Sequence, residues 1–413
     1  MEFPIFLLYV TIAVSFYTSF MGGANDFANA FGTSVGSKAI TIRQAVIIAI
    51  IAELIGAVFV GGHVTDTVRK GIVDPINFQA DPMVLVYGLL AALIGSGLFL
   101  QLATHFGLPV STTHAIVGAM VGFGIVSTGF GGVNWATVGS IAMSWVISPI
   151  GGGIVAFSTF RIIQRKVLEN RFPLLAATKV VPVFVGLTIM VVGLSIVYKG
   201  MKNLHLDMPL PVALMYSGLL GLLIFFVVRI AMRGVSGGDR ADQIVKVEGS
   251  FKFLQIFTAG YVAFAHGAND VANSIGPLAG IWSIYKNGIV GLQSEVPYWI
   301  LLLGGTGIIL GLAVLGYKVI ETIGTKITAM TPSRGFAAEF SAASVVLLFS
   351  KLGMPVSTTH TLVGSVIGVG LARGIGALDF RVVRQIFMSW IVTIPLAAIG
   401  TIIAFEILKI IML

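Results

Sequence analysis

The sequence predicts an all-α polytopic membrane protein of about twelve transmembrane segments, built from two inverted repeats with broken or re-entrant helices. Three observations carry that prediction. The chain is 56% hydrophobic and only 10% charged, where a soluble domain holds about 25% charged residues to cover its surface. Apolar runs of roughly 20 residues, long enough to cross a hydrocarbon core, recur from end to end. The chain also repeats its polar motifs at a spacing close to 245 residues.

Composition removes several function classes. With no cysteine in the chain, disulfides, thiolate chemistry and Cys-based zinc sites are excluded. The net charge of +8 fits loop lysines and arginines under the positive-inside rule, so no nucleic-acid partner is expected. The 51 glycines fit close helix approach in a bilayer. Met1-Glu2-Phe3-Pro4 lacks a basic leader and runs into an apolar segment, which reads as a first span and not a cleaved signal.

Hydropathy places the spans at 5–24, 44–62, 83–103, 109–127, 136–158, 180–198, 211–230, 252–266, 298–316, 336–351, 355–372 and 386–408. The fourth, eighth and eleventh are short or interrupted, as re-entrant or broken helices would be. With the N-terminus outside, 18 of the 25 basic residues fall on inner loops. Arg69, Lys70, Lys199, Lys202, Lys286, Lys351 and Lys409 fall outside. This bias predicts a multi-pass cell-membrane protein with both termini outside and a cytoplasmic linker at 231–251. The expected organisation is a first transmembrane repeat at 1–160, two connecting transmembrane helices at 161–230, the linker, and a second repeat at 252–413.

The repeat decides more than any single motif. Gly23-Ala-Asn-Asp-Phe-Ala-Asn29 recurs as Gly267-Ala-Asn-Asp-Val-Ala-Asn273, shifted by 244; Pro109-Val-Ser-Thr-Thr-His114 recurs as Pro355-Val-Ser-Thr-Thr-His360, shifted by 246. Met143-Ser-Trp145 and Met388-Ser-Trp390 are a weaker echo, shifted by 245. Seven spans separate the two starts, and an odd number inverts the second copy. Inverted repeats around a midplane site are an architecture of secondary transporters.

Asp26 ends the first span and Asp270 stands at the equivalent point of the eighth, at membrane depth where a carboxylate is costly unless paired, solvated or protonated. Gly22-Gly23 and Gly267 are expected to break their helices and free backbone carbonyls beside each carboxylate. Carboxylate, amide and carbonyl oxygens suit a hard cation. The lack of cysteine and of clustered carboxylates points to sodium or a proton over a transition metal. In the second motif, proline followed by Ser111, Thr112 and Thr113 is a helix-start pattern. Such an end offers unpaired N–H groups and a positive dipole to an anion. Ser357, Thr358 and Thr359 repeat it, so two ends can clasp a small tetrahedral oxyanion. Neither motif holds Lys or Arg, so the anion is balanced by helix ends and by cations at Asp26 and Asp270, which couples the two. Glu53 and Glu339, inside apolar segments, are candidate ion-path groups. His114 and His360 are expected to orient the hydroxyls or to bond neighbours, and Arg334 to mark a helix entry.

At these residues the chain resembles the inorganic phosphate transporter (PiT) family over essentially its whole length. The duplicated Gly-Ala-Asn-Asp pair is highly specific. The resemblance implies a symporter that brings phosphate in with sodium or protons and that is commonly a homodimer in the lipid bilayer. It implies no enzyme activity and no cofactor beyond co-transported sodium. Carried over by position, Asn25, Asp26, Asn29, Asn269, Asp270 and Asn273 form the ion and anion core. Asp26, Asn29, Asp270 and Asn273 are then the sodium ligands, and the six hydroxyls at 111–113 and 357–359 complete the anion site. The two copies differ: His266 stands where Gly22 stands, and Ile275-Gly276-Pro277 replaces Phe31-Gly32-Thr33. Alternatives left open are a sulfate or other oxyanion symporter, a membrane-embedded hydrolase and a passive channel.

Overall fold

The computed structural model describes residues 4–60, 72–197, 208–235, 237–288, 290, 296–351 and 356–412. Met1, Glu2, Phe3, Arg69, Lys70, Lys199, Lys202, Pro355 and the far ends of the spans 44–62 and 180–198 lie outside the described residues. Among the described residues there are thirteen α-helices and no strand beyond a single bridge between Val73 and Val133. The first half supplies α1 (Ile5–Gly36), α2 (Ile42–Val60), α3 (Pro82–His105), α4 (Thr112–Thr128) and α5 (Trp135–Ile163). Two connecting helices follow, α6 (Pro173–Ser195) and α7 (Leu210–Ala231). The second half holds α8 (Arg240–Asn287), α9 (Tyr298–Leu315), the short α10 (Tyr317–Glu321), α11 (Pro332–Lys351), α12 (Thr358–Arg373) and α13 (Phe380–Met412).

Each expected span falls on its own helix. Among the described residues seven helices, α1, α3, α5, α6, α7, α9 and α13, are long and apolar enough to cross a membrane. Of the three weak spans, the fourth and eleventh are indeed short: α4 and α12 have 17 and 16 residues. The eighth is the opposite. It lies within α8, an unbroken helix of 48 residues that starts inside the expected linker, where Asp239 caps it by accepting from Asp242 N–H (2.8 Å).

The expected helix breaks at the two Gly-Ala-Asn-Asp motifs are not there. α1 runs unbroken through Gly22-Gly23, and α8 through Gly267. The glycines serve packing instead. A Cβ on Gly23 would strike the Ile308 backbone of α9, and one on Gly267 the Glu53 backbone of α2. Missing side chains let backbones approach closely, the usual means of holding apolar helices together in lipid. No backbone carbonyls are freed beside the carboxylates.

These contacts come in reciprocal pairs. α1 lies on α9 as α8 lies on α2. Gly118 of α4 meets Ile394 of α13, and its counterpart Gly364 of α12 meets Pro149 of α5. Both serine-threonine motifs start helices as their pattern predicts: Ser111 Oγ accepts from His114 N–H (3.3 Å) and Ser357 Oγ from His360 N–H (3.2 Å). Arg334 sits in the first turn of α11 and donates to the Ala329 carbonyl, a helix-entry role.

α1 and α8 run antiparallel through the middle of the molecule. Ser15 and Ser19 of α1 meet Ser274; Asp26 meets His266; Ser37 meets Gln255. Partner numbers fall on α8 as they rise on α1, which brings the two polar motifs together in the buried interior.

Candidate binding site

The site forms where the two motif helices face each other. His266, only 2% exposed, is its hub. Its Nε2 lies 3.4 Å from Asp26 Oδ2 and 3.1 Å from Asp270 Oδ2, and its Nδ1 lies 3.3 Å from Glu53 Oε1. Three carboxylates thus surround one imidazole. The expectation that the chain lacks clustered carboxylates is overturned, because helix packing gathers groups distant in sequence. Ligand atoms of Asp26, His266 and Asp270 lie within 4.8 Å of one another, close enough to share one cation. Buried carboxylates are costly, by about 2.5–3.5 kcal/mol each on insertion scales, and such a cluster persists only with compensating positive charge.

Around this hub each motif helix bonds to the hydroxyl motif of the other half. Asn29 Nδ2 donates to Asp26 Oδ1 (2.7 Å) and to Thr359 Oγ1 (2.8 Å). Asn273 Nδ2 donates to Asp270 Oδ1 (3.2 Å), Thr112 Oγ1 (3.1 Å) and Thr113 Oγ1 (3.2 Å). Thr359 also donates to the Val110 carbonyl (3.3 Å), so the two hydroxyl motifs touch. Asn29 Oδ1 is buried and has no hydrogen-bond partner among the described residues, leaving an acceptor beside Asp26.

The remaining candidates divide clearly. Asn25 is used within its own half: its amide donates to Thr104 Oγ1 and the Leu108 carbonyl, and its oxygen accepts from Val110 N–H. That holds the 108–110 turn, and hence the start of α4, against α1. Ser111 and Ser357 are buried helix caps. Thr358 and Asn269 are half-buried beside their motif partners. Glu53 joins the hub through His266. Glu339 does not. It is fully buried but accepts from Thr33, Ser34, Thr258 and Gln255, two turns of α1 away from Asp26. His114 and His360 contact each other (4.3 Å between ring centroids), and His360 stacks on Trp390 at 3.6 Å. Both line a separate apolar groove of about 890 Å³ beside α5, α12 and α13.

Three participants escaped the sequence reading. His266 stood out only as a departure from Gly22, although its place four residues before Asp270 puts both on one helix face. Ser19 and Ser274, whose hydroxyls bond at 2.6 Å, carried no signal. With Thr18, Ser96 and Thr112 they line the cavity beside the hub, which has a volume of about 10 Å³, room for one water-sized species. Among the described residues no Ser or Thr hydroxyl bonds a histidine ring nitrogen.

A model of the phosphate transporter family matches residues 22–401. The chain belongs to that family. A Pyrococcus abyssi protein named as a phosphate permease is 47% identical over 409 residues, covering 98% of each chain. The inorganic phosphate transporter 2-1 of Arabidopsis thaliana, chloroplastic, is 45% identical over 95% of this chain and 70% of its own length. A solved structure described as the sodium-dependent phosphate transporter superposes with a TM-score of 0.88 at 43% identity, covering 98% of this chain and all of that one. Membership makes this phosphate transporter family chain a multi-pass membrane transporter.

Proposed function

We propose that the chain imports inorganic phosphate by symport with sodium, by alternating access around a site shared by the two repeats. One observation carries the reading: each motif helix hydrogen-bonds the hydroxyl motif of the opposite half, through Asn29–Thr359 and Asn273–Thr112/Thr113, around Asp26 and Asp270. A site made from both halves is remade whenever the halves shift, which is what alternating access requires. The antiparallel course of α1 and α8 supports inverted repeats.

Sodium fits the carboxylate and amide oxygens of Asp26, Asn29, Asp270 and Asn273. Phosphate fits the N-terminal ends of α4 and α12, with their threonine hydroxyls. No Lys or Arg is present to balance the anion there, so bound sodium supplies the positive charge. A tetrahedral oxyanion is larger than the present cavity, and loading requires the helices around it to part. A second reading, proton coupling, is favoured by His266, whose nitrogens face three carboxylates and offer a site for a carried proton.

Coupling of this kind is reciprocal in free energy. Calorimetric titration of phosphate into purified protein is therefore expected to show binding that tightens roughly tenfold or more when sodium replaces potassium. Thr359→Val, which removes a hydroxyl beside Asn29, is expected to weaken phosphate more than sodium. Phosphate affinity indifferent to sodium would contradict the symport reading.

A further inference from the structure

The apolar groove of about 890 Å³ is flanked by α5 and α13, with α12 between them. Both flanking helices are long and apolar enough to cross a membrane. Ile150 and Ile154 of α5 and Ile391 of α13 line the groove and are exposed, so it opens toward the bilayer. Gly364 and Gly368 bring α12 directly against the Pro149 and Gly153 backbones of α5, which recesses the floor between the flanking side chains. His360 and Trp390, stacked on each other, stand at one end. Phe157, Leu371 and Phe387 stand at the other, and all three are exposed. The α5 wall from Ala142 to Phe157 is about 22 Å long at the helical rise. That is enough to run, at a tilt, through one hydrocarbon leaflet of about 15 Å.

The phenylalanine end of the groove is basic. Arg161 follows Phe157 by one turn of α5, and its Nη1 lies 3.5 Å from the carbonyl of Ala372, the residue after Leu371. Arg384 precedes Phe387 by one turn of α13 and is exposed. Among the described residues no carboxylate pairs with either guanidinium. The charge is also one-sided. The shift of 245 that carries Trp145 onto Trp390 carries Arg161 onto Glu406 and Gly139 onto Arg384. The equivalent end of the same helix pair, on the opposite face, therefore has neither arginine.

We propose that this groove seats an anionic phospholipid, with an acyl chain lying along α12 and the headgroup phosphate held by Arg161 and Arg384. An apolar slot open to the bilayer matches the chain. Two unpaired guanidiniums at its mouth match the phosphate, which arginine holds through paired N–H groups, and basic pockets between membrane helices bind anionic headgroups in this way. The seated lipid packs on the helix whose first turn carries Thr358 and Thr359.

The groove carries its own reporter, because Trp145 lines it and bromine quenches tryptophan fluorescence only near contact. The full chain is reconstituted in phosphatidylcholine vesicles in which a minor fraction of the lipid has brominated acyl chains, either as phosphatidylglycerol or as phosphatidylcholine. Brominated phosphatidylglycerol is expected to quench more than brominated phosphatidylcholine at the same fraction, and Trp145→Phe to reduce that excess. Arg161→Gln is expected to lower the preference for phosphatidylglycerol roughly fivefold, and Arg161→Lys, which keeps the charge, to lower it less. Equal quenching by the two lipids, or a preference unmoved by Arg161→Gln combined with Arg384→Gln, overturns the proposal. Loss of the excess on adding inorganic phosphate at constant ionic strength also overturns it, by making the arginines a site for the free anion. So does a Trp145 that neither lipid quenches, the result expected if a second copy of the chain covers the groove. Quenching needs no transport, so it is read independently of what the protein carries.

Discussion

Asp26→Asn and Asp270→Asn are each expected to cut coupled uptake about a hundredfold or more. The substitution is nearly isosteric and removes one negative charge from a buried cluster. A unit charge 4 Å from a cation contributes about 4 kcal/mol at an effective dielectric constant of 20. Even half of that, after desolvation is set against it, is more than a factor of ten in cation affinity. Because transport needs anion and cation bound together, losses in cation occupancy carry through to the anion. Folding is expected to survive, since a buried carboxylate costs stability and its neutral amide relieves that cost. Uptake assays paired with thermal unfolding in detergent separate the two effects. Near-normal uptake by both variants would remove the carboxylates from the site.

Gly267→Ala is expected to damage both packing and uptake. The added Cβ meets the backbone of Glu53, which cannot rotate aside as a side chain can. Either α2 moves from α8 or the helices strain, at about 1–3 kcal/mol for overpacking of this kind. The shift also draws Glu53 away from His266, so uptake falls along with stability. Gly249→Ala on the same helix is the control, because nothing lies within 4 Å of the position. There the change is expected to be neutral or to stabilise by up to about 1 kcal/mol, the helix-propensity difference. Equal melting temperatures for the two variants would show that the α2–α8 contact does not depend on the missing side chain.

The helices were legible because lipid imposes a simple rule: long apolar runs with satisfied backbones. All twelve expected spans lie on helices, and the caps at Ser111 and Ser357 follow from local pattern alone. The Gly-Ala-Asn-Asp motifs misled for a physical reason. Glycine signals both broken helices and close approach, and only the partner decides which. Gly23 and Gly267 have backbones against them, and neither Ile308 nor Glu53 is near its glycine in sequence. The role of His266 was hidden likewise, since its contacts with Asp26 and Glu53 join different helices. Glu339 shows the converse: a carboxylate in an apolar segment reads as an ion-path group, yet it bonds four side chains from α1 and α8, away from the hub.

Uptake of radiolabelled phosphate into proteoliposomes, with sodium and proton gradients imposed separately and unlabelled sulfate as competitor, tests the shared site most directly. An inward sodium gradient is expected to drive accumulation that excess sulfate does not block and that Asp26→Asn abolishes. Uptake driven by a proton gradient alone would make Asp26, Asp270 and His266 proton carriers. Failure of phosphate to accumulate under either gradient would contradict phosphate as the substrate.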